Sequence, residues 1–175
     1  MSQATTASRP SIAQGMFEEF ERELATTRRF LQRLPGDKLA WRPHPKSMSA
    51  GQLGFHIAET PGLALQMCIP DRGSPPDMSQ REEPATLSEL LARLDASESY
   101  VRQTLPGLSD ARMLAPFTID VLGGDSLQLP RAGFLRSIML NHWYHHRGQL
   151  GVYLRLLGVP VPFSYGPSGD EPGGL

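Results

Sequence analysis

The chain is poor in cysteine: Cys68 is the only one among 175 residues. A single thiol excludes an intrachain disulfide and argues against a thiolate metal cluster. With no basic residue beside it in sequence, Cys68 reads as a small buried side chain rather than a reactive one. Long apolar runs are also missing, since nothing approaches the roughly 18 to 20 residues that cross a bilayer. Charge of one sign is not in excess, with 17 basic and 18 acidic side chains, and no Lys/Arg block is long enough to track a phosphate backbone. Neither membrane nor nucleic acid is therefore an expected partner. The opening "MSQATTASRPS" lacks a positive start and an apolar stretch, so residues 1–10 read as a disordered lead and the protein as soluble and cytoplasmic. There is no G-x-S-x-G elbow and no glycine-rich phosphate loop.

What remains is helical periodicity. Ile12, Met16, Phe20, Leu24, Thr27, Leu31 and Leu34 recur at three or four and predict a first helix over 11–34, with Glu18, Glu21, Arg22, Arg29 and Arg33 as a solvated opposite side. Ser49 and Gln52 have capping-box spacing and open a second helix. Its inward face carries Gln52, Leu53, His56, Thr60, Leu63 and Met67, and Pro61 should kink it or start a new helix capped by Thr60. The polar, proline-rich stretch 69–85 is long enough to carry the chain from one end of a bundle to the other. A third helix opens at Thr86–Glu89 and buries Leu87, Leu90, Leu94, Val101 and Leu105. "FTIDVLGGDSLQLP" admits a small hairpin or an irregular crossover, too little strand to found a sheet. A fourth helix runs from near Pro130 to Leu157, stopped by Gly158 and Pro160. These segments predict an all-α protein, a four-helix bundle with a long crossover between helices two and three.

Three of the five histidines fall within "NHWYHHRGQL" at 141–150. At 100° per residue, Leu135, Ile138, His142, His146, Gln149, Tyr153 and Leu156 lie within about 45° of one line. That stripe is apolar at its ends and polar in the middle, and unpaired imidazoles buried there would cost about 1–3 kcal/mol each. His142 and His146, at i and i+4, can converge on one ion, and His56 on the inward face of another helix is the candidate third ligand. Three neutral imidazoles leave a position open for water or substrate. His145, about 60° aside, is assigned to supporting, packing or entrance duty, and His44 in its "PHP" loop to a structural or exposed role. Glu59 is a candidate supporting carboxylate, weighed against a solvent-facing one. Because Trp143 follows His142, the motif is not HExxH and a metalloprotease is disfavoured.

"HWYHHRGQLGVYLRLLG", the later "YGPSGDE" and the upstream "LAWRPHPKSMSAGQLGFHIAET" together resemble the DinB/YfiT-like family of helical metalloenzymes, which is unrelated to the DNA polymerase of similar name. The resemblance implies an up-down-down-up bundle over 11–160 followed by a tail over 161–175. It also implies a homodimer, and nickel or zinc on His56, His142 and His146. It sets Arg147, Gly148 and Gln149 beside the last ligand. Gln149 lies on the ligand stripe and is expected to orient a ligand or substrate, Arg147 to make an ion pair or dimer contact, and Gly148 to permit close helix approach. Tyr165, Asp170 and Glu171 match the family's ending without a role that spacing can assign.

Characterised relatives include enzymes that use low-molecular-weight thiols, so the resemblance implies a metal-dependent, thiol-dependent transferase acting on a small-molecule substrate. A hydrolase using metal-bound water and a non-catalytic, stress-related metal-binding module keep the same three histidines. In each case the ion is expected to leave as the pH falls through about 6.5, the ordinary histidine value, because only neutral imidazole coordinates.

Overall fold

The computed structural model describes residues 9–77, 81–121 and 123–173. The expected disordered lead lies almost wholly outside the described residues. Helix α1 spans Ile12–Gln32, α2 Ala50–Cys68 and α3 Leu87–Thr104, followed by a short α4 at Asp110–Leu114. The fourth long helix is three consecutive segments: α5 at Arg131–Phe134, a π-helical stretch at Leu135–His142, and α6 at Trp143–Leu156. No helix among the described residues is long and apolar enough to cross a membrane.

Side-chain caps fix where these helices begin. Ser11 Oγ accepts from Gln14 N at 3.1 Å, and Thr86 Oγ1 accepts from Glu89 N at 3.1 Å. Ser49 and Gln52 close the expected capping box reciprocally, at 3.0 and 3.1 Å, so two otherwise orphaned amides are satisfied. At the far end Gly158, at φ 71°, adopts the left-handed conformation. There the amides of Gly158 and Val159 return to the carbonyls of Arg155 and Leu154, at 3.1 and 2.9 Å, and end α6 in a Schellman turn.

The chain is mostly helical rather than all-α, because three short strands form one sheet. Strand β2 (Pro116–Asp120) pairs antiparallel with β3 (Ser126–Pro130), which realises the hairpin option. Strand β1 (Arg72–Gly73), from the crossover between α2 and α3, adds to β2 in parallel and corrects the expectation that no sheet would form. The strand's backbone amides and carbonyls gain ladder partners there that a loop would have to find in water. Arg131, 1% exposed, locks this corner. Its guanidinium donates to the carbonyls of Cys68 at 2.8 Å, Pro70 at 3.0 Å and Pro116 at 3.1 Å and pairs with Asp71 at 2.5 Å. One arginine thus ties the end of α2 to two strands.

Packing among the long helices has a definite order. Between α1 and α3, Arg28 meets Asp95 and Glu98, both at 2.7 Å, while Arg102 meets Glu21 at 2.8 Å. Between α1 and the fourth helix, Glu19 holds Arg136 at 2.6 Å and Glu23 holds Arg147 at 2.6 Å. Helices α2 and α3 touch through glycines: a Cβ on Gly54 would lie 2.4 Å from Leu90, and one on Gly62 2.9 Å from Ser97 Oγ and 3.1 Å from its Cα. Gly148, by contrast, has nothing within 4 Å, so it does not serve close helix approach; Gly151 does, with Phe30 3.3 Å from an added Cβ.

The tail returns to the bundle. Glu171 pairs with Arg33 at 2.8 Å and accepts from Phe163 N at 3.1 Å, and Asp170 pairs with Arg155 at 2.6 Å. Arg29 reaches the same Glu171 at 3.5 Å and covers the Phe163 ring. The charges read as a solvated face thus include the tail's anchors.

Two glycine substitutions separate packing from propensity. Gly62→Ala should destabilise the fold by about 1–3 kcal/mol, because the Ser97 backbone cannot move aside cheaply. Gly148→Ala, in open space on a helix, should stabilise it by up to about 1 kcal/mol. Urea midpoints measure both, and equal shifts of the same sign would contradict the packing assignment.

Candidate metal centre

The polar middle of the fourth helix meets the half-buried face of α2. His142 Nε2 lies 3.0 Å from His56 Nε2 and 3.1 Å from His146 Nε2. One ligand atom from each of the three can be chosen so that all lie within 4.8 Å of one another. Three neutral rings cannot all present lone pairs to one point without repulsion, so the cluster calls for a shared proton or a cation. A tetrahedral ion with nitrogens at about 2.0–2.1 Å would space them about 3.3 Å apart, close to the observed separations. The donor set therefore fits a divalent ion.

The surroundings select the protonation state that coordination requires. Burial, with His146 and His142 close by, lowers the His56 pKa to about 3. Burial likewise lowers His146 to about 4, against the opposing hydrogen bond it makes to Gln149. His142 is lowered too, by burial and then by His145. Gln149 Oε1 lies 2.8 Å from His146 Nδ1. An amide oxygen can only accept, so it assigns the proton to Nδ1 and leaves Nε2 bare. Gln149 thus orients a histidine of the cluster.

A proline dictates how α2 and the fourth helix meet. Helix α2 runs on through Pro61 without a restart, so of the two outcomes expected there, a kink or a new helix capped by Thr60, the new helix does not form. Pro61 has no amide to give Ile57, so that carbonyl loses its helical donor. Trp143 fills the place: its indole N–H donates to the Ile57 carbonyl at 2.9 Å, buried, while its ring stacks on Phe20 with centroids 5.4 Å apart. Ile57 follows His56 and Trp143 follows His142. One hydrogen bond between helices therefore holds two of the three histidines at their spacing. Reading the sequence for polar stripes overlooked Trp143; a proline four residues after an apolar core position was the signal that a partner was needed.

The other candidates fall at different distances. His145 is exposed, its ring centroid 4.9 Å from that of His146. His44 is exposed in its loop, where Nδ1 accepts from Lys46 N at 3.2 Å. Glu59 is half-buried beside His56 in a cleft of about 240 Å³, and burial raises its pKa. Arg147 is buried, paired with Glu23 and bonded to Thr27 Oγ1 at 3.2 Å, and so serves as a structural ion pair. Cys68 is fully buried, and burial pushes its thiol up to about 11, against the nearby positive charges of Arg131 and Arg112. Tertiary contact supplied basic neighbours that the local sequence lacked, and burial still outweighs them.

A cavity of about 720 Å³ opens onto all three histidines. Leu63 and Met67 of α2, Ile119 and Leu129 of the hairpin, and Phe134 and Ile138 of the fourth helix form most of its wall. From His56 to Met67 the inward face of α2 is thus a site wall, while Leu53 lies in the core.

The tryptophan latch makes a specific energetic claim. Trp143→Phe should cost about 1–3 kcal/mol by orphaning the Ile57 carbonyl, and less when combined with Pro61→Ala, which restores an amide donor. A double-mutant cycle by urea denaturation should give a coupling of about 1 kcal/mol. Strict additivity would remove the latch.

Known proteins resemble this chain in sequence and in fold. The chain is 43% identical over 44 residues, 25% of its own length and 26% of the other's, to the uncharacterised protein YrdA of Bacillus subtilis (strain 168), so that match spans only about a quarter of the curated relative. A DinB-like protein from Bacillus cereus ATCC 10987 superposes with a TM-score of 0.69 at 21% identity, covering 90% of this chain and 100% of that one. A second DinB-like protein, YjoA from Bacillus subtilis, gives a TM-score of 0.66 at 21% identity over 85% of this chain and 96% of its own. At such identities these structures speak to the fold alone. The family model of the DinB superfamily matches residues 19–150, from the first helix past His56, His142, His146 and Gln149, and the chain belongs to that superfamily.

Proposed function

We propose that the protein binds one divalent ion, nickel or zinc, on His56, His142 and His146 and uses it as a thiol-dependent transferase. The convergence of three Nε2 atoms, with separations of 3.0 and 3.1 Å from His142, carries this reading. Bound there, a divalent ion would supply Lewis acidity and favour the thiolate of a low-molecular-weight thiol. The chain's own residues do the rest. His56, His142 and His146 present neutral nitrogens, Gln149 keeps the His146 proton on Nδ1, and the Trp143 latch holds the two helices in register.

Two openings meet at His56. The smaller cleft, lined by Gln52, Glu59, Asp77 and Arg81, is polar and suits a hydrophilic thiol, and the larger, apolar cavity accepts a second molecule. An apolar wall limits water near the reacting atoms, which favours transfer over hydrolysis. The order of contacts supports an up-down-down-up bundle as the frame: pairs between α1 and α3 run in opposite sequence directions, and pairs between α1 and the fourth helix in the same direction. We place this enzyme in the cytoplasm, as the sequence led us to expect, and as a homodimer, following the family resemblance.

Purified protein without an affinity tag should carry about one divalent ion per chain. Alanine at His56, His142 or His146 should abolish that stoichiometry, and Gln149→Ala should weaken binding by about 10- to 100-fold. Metal content measured by plasma emission spectrometry decides it; full retention by a histidine variant would remove that residue from the ligand set. Thiol transfer is tested by screening metal-loaded protein with cellular thiols against electrophiles, and metal-independent turnover would argue against the mechanism.

Burial also moves the acid limit. Protons compete with the ion only near the histidines' own pKa values, and those of His56 and His146 lie at about 3 and 4 rather than 6.5. Burial lowers His142 as well, so metal should be retained below pH 6.5 and released only at more acid pH. Half-release near pH 6.5 in an equilibrium titration would mean that the rings are not desolvated as described.

A further inference from the structure

We propose that the large cavity is built for a hydrophobic acid: an alkyl or aryl body against the apolar wall, and an anionic group on Arg81. Its volume of about 720 Å³ falls within the roughly 300–1,000 Å³ of small-molecule sites. Each element that walls it, α2, the hairpin and the fourth helix, contributes apolar side chains. Two of its residues, Val121 and Leu127, are 40% and 54% exposed on the hairpin. A bound apolar body would cover them, and their present exposure is otherwise a cost of the fold.

Charge on the cavity wall is scarce. Among the described residues, and apart from the histidines, the charged residues lining it are Asp120 and Arg81. Asp120 is occupied, pairing with Arg72 and accepting from Ser74 Oγ at 2.8 Å. Arg81 is held by its backbone, whose carbonyl accepts from Gln52 Nε2 at 3.2 Å, and its guanidinium enters none of the ion pairs among the described residues. It borders the large cavity and the polar cleft alike, at the mouth that the two share with His56. A planar cation outside every ion pair among the described residues, at the rim of an apolar chamber, suits a carboxylate or comparable anion attached to an apolar chain. Placing such an acid beside a reacting centre rests on the proposed function; its binding in the cavity does not.

The test is isothermal titration of the full chain, zinc-loaded and chelator-treated, with hexanoate, octanoate, decanoate, 1-octanol and octanesulfonate. Octanoate is expected to bind at least tenfold more tightly than 1-octanol, with affinity rising about fourfold per added CH₂ until the chamber is filled. Octanesulfonate, an anion that coordinates metals poorly, should follow octanoate. Arg81→Gln should lower the affinity for both anions at least tenfold while leaving 1-octanol binding and zinc content unchanged. Equal binding of acid and alcohol overturns the proposal, as does no dependence on chain length. An octanoate affinity that survives Arg81→Gln, or that octanesulfonate does not share, places the carboxylate on the ion and overturns it as well. Acid binding that depends on Arg81 in a protein that takes up no zinc would leave this inference standing and refute the proposed metal function. Zinc uptake at one ion per chain without acid binding would do the reverse.

Discussion

The absence of one amide hydrogen organises the centre of this molecule. Pro61 cannot donate to Ile57, and the buried carbonyl left behind accepts the indole N–H of Trp143. A buried carbonyl without a partner would cost about 1–3 kcal/mol, so the two helices are held at the depth and register that bring Trp143 to it. His56 and His142 are the chain neighbours of these two residues, and the separation of their nitrogens follows from the latch. Phe20 stacks on the same indole and extends the constraint to α1.

Around that point the charges and the apolar surface divide the work. Arg147, buried against Glu23 and Thr27, and Arg136, held twice by Glu19, fasten the fourth helix to α1 on the side away from the histidines. Arg131 fastens its start to the end of α2 and to the strands. The side between these anchors is left for a chamber, walled by the hairpin. The helices supply the nitrogens and the small sheet supplies the enclosure.

The site was more legible than the fold around it. Ligand candidates at i and i+4 are a local property of a helix, and His56 announced itself as polar on an apolar face. The wheel held within α6, where His146, Gln149 and Tyr153 follow one line. It slipped at both ends. Upstream, the π-helical stretch adds a residue to each hydrogen-bonded turn, and burial falls on Leu135, Met139 and Leu140 instead of a 100° stripe. Downstream, Leu156 is 61% exposed because the helix has by then passed the core. Gly148 misled for a related reason: glycine signals close approach only where something approaches, and here that residue is Gly151. Strand β1 is two residues in a polar loop, with no period to detect.

The sequence by itself determined the four long helical segments, the caps at Ser49 and Thr86, the stop at Gly158 and the histidines available as ligands. Each depends on residues within a turn or two of one another, where backbone sterics and side-chain spacing act without outside help. Only the tertiary structure decided which histidines share a point, that Trp143 answers Pro61, that Arg131 and Arg147 are buried, and that a chamber opens beside the nitrogens. Those outcomes join residues 86 or more positions apart in the case of His56 with His142 and Ile57 with Trp143. Desolvation and hydrogen-bond completion at such separations depend on what the rest of the chain brings alongside, which no local pattern contains.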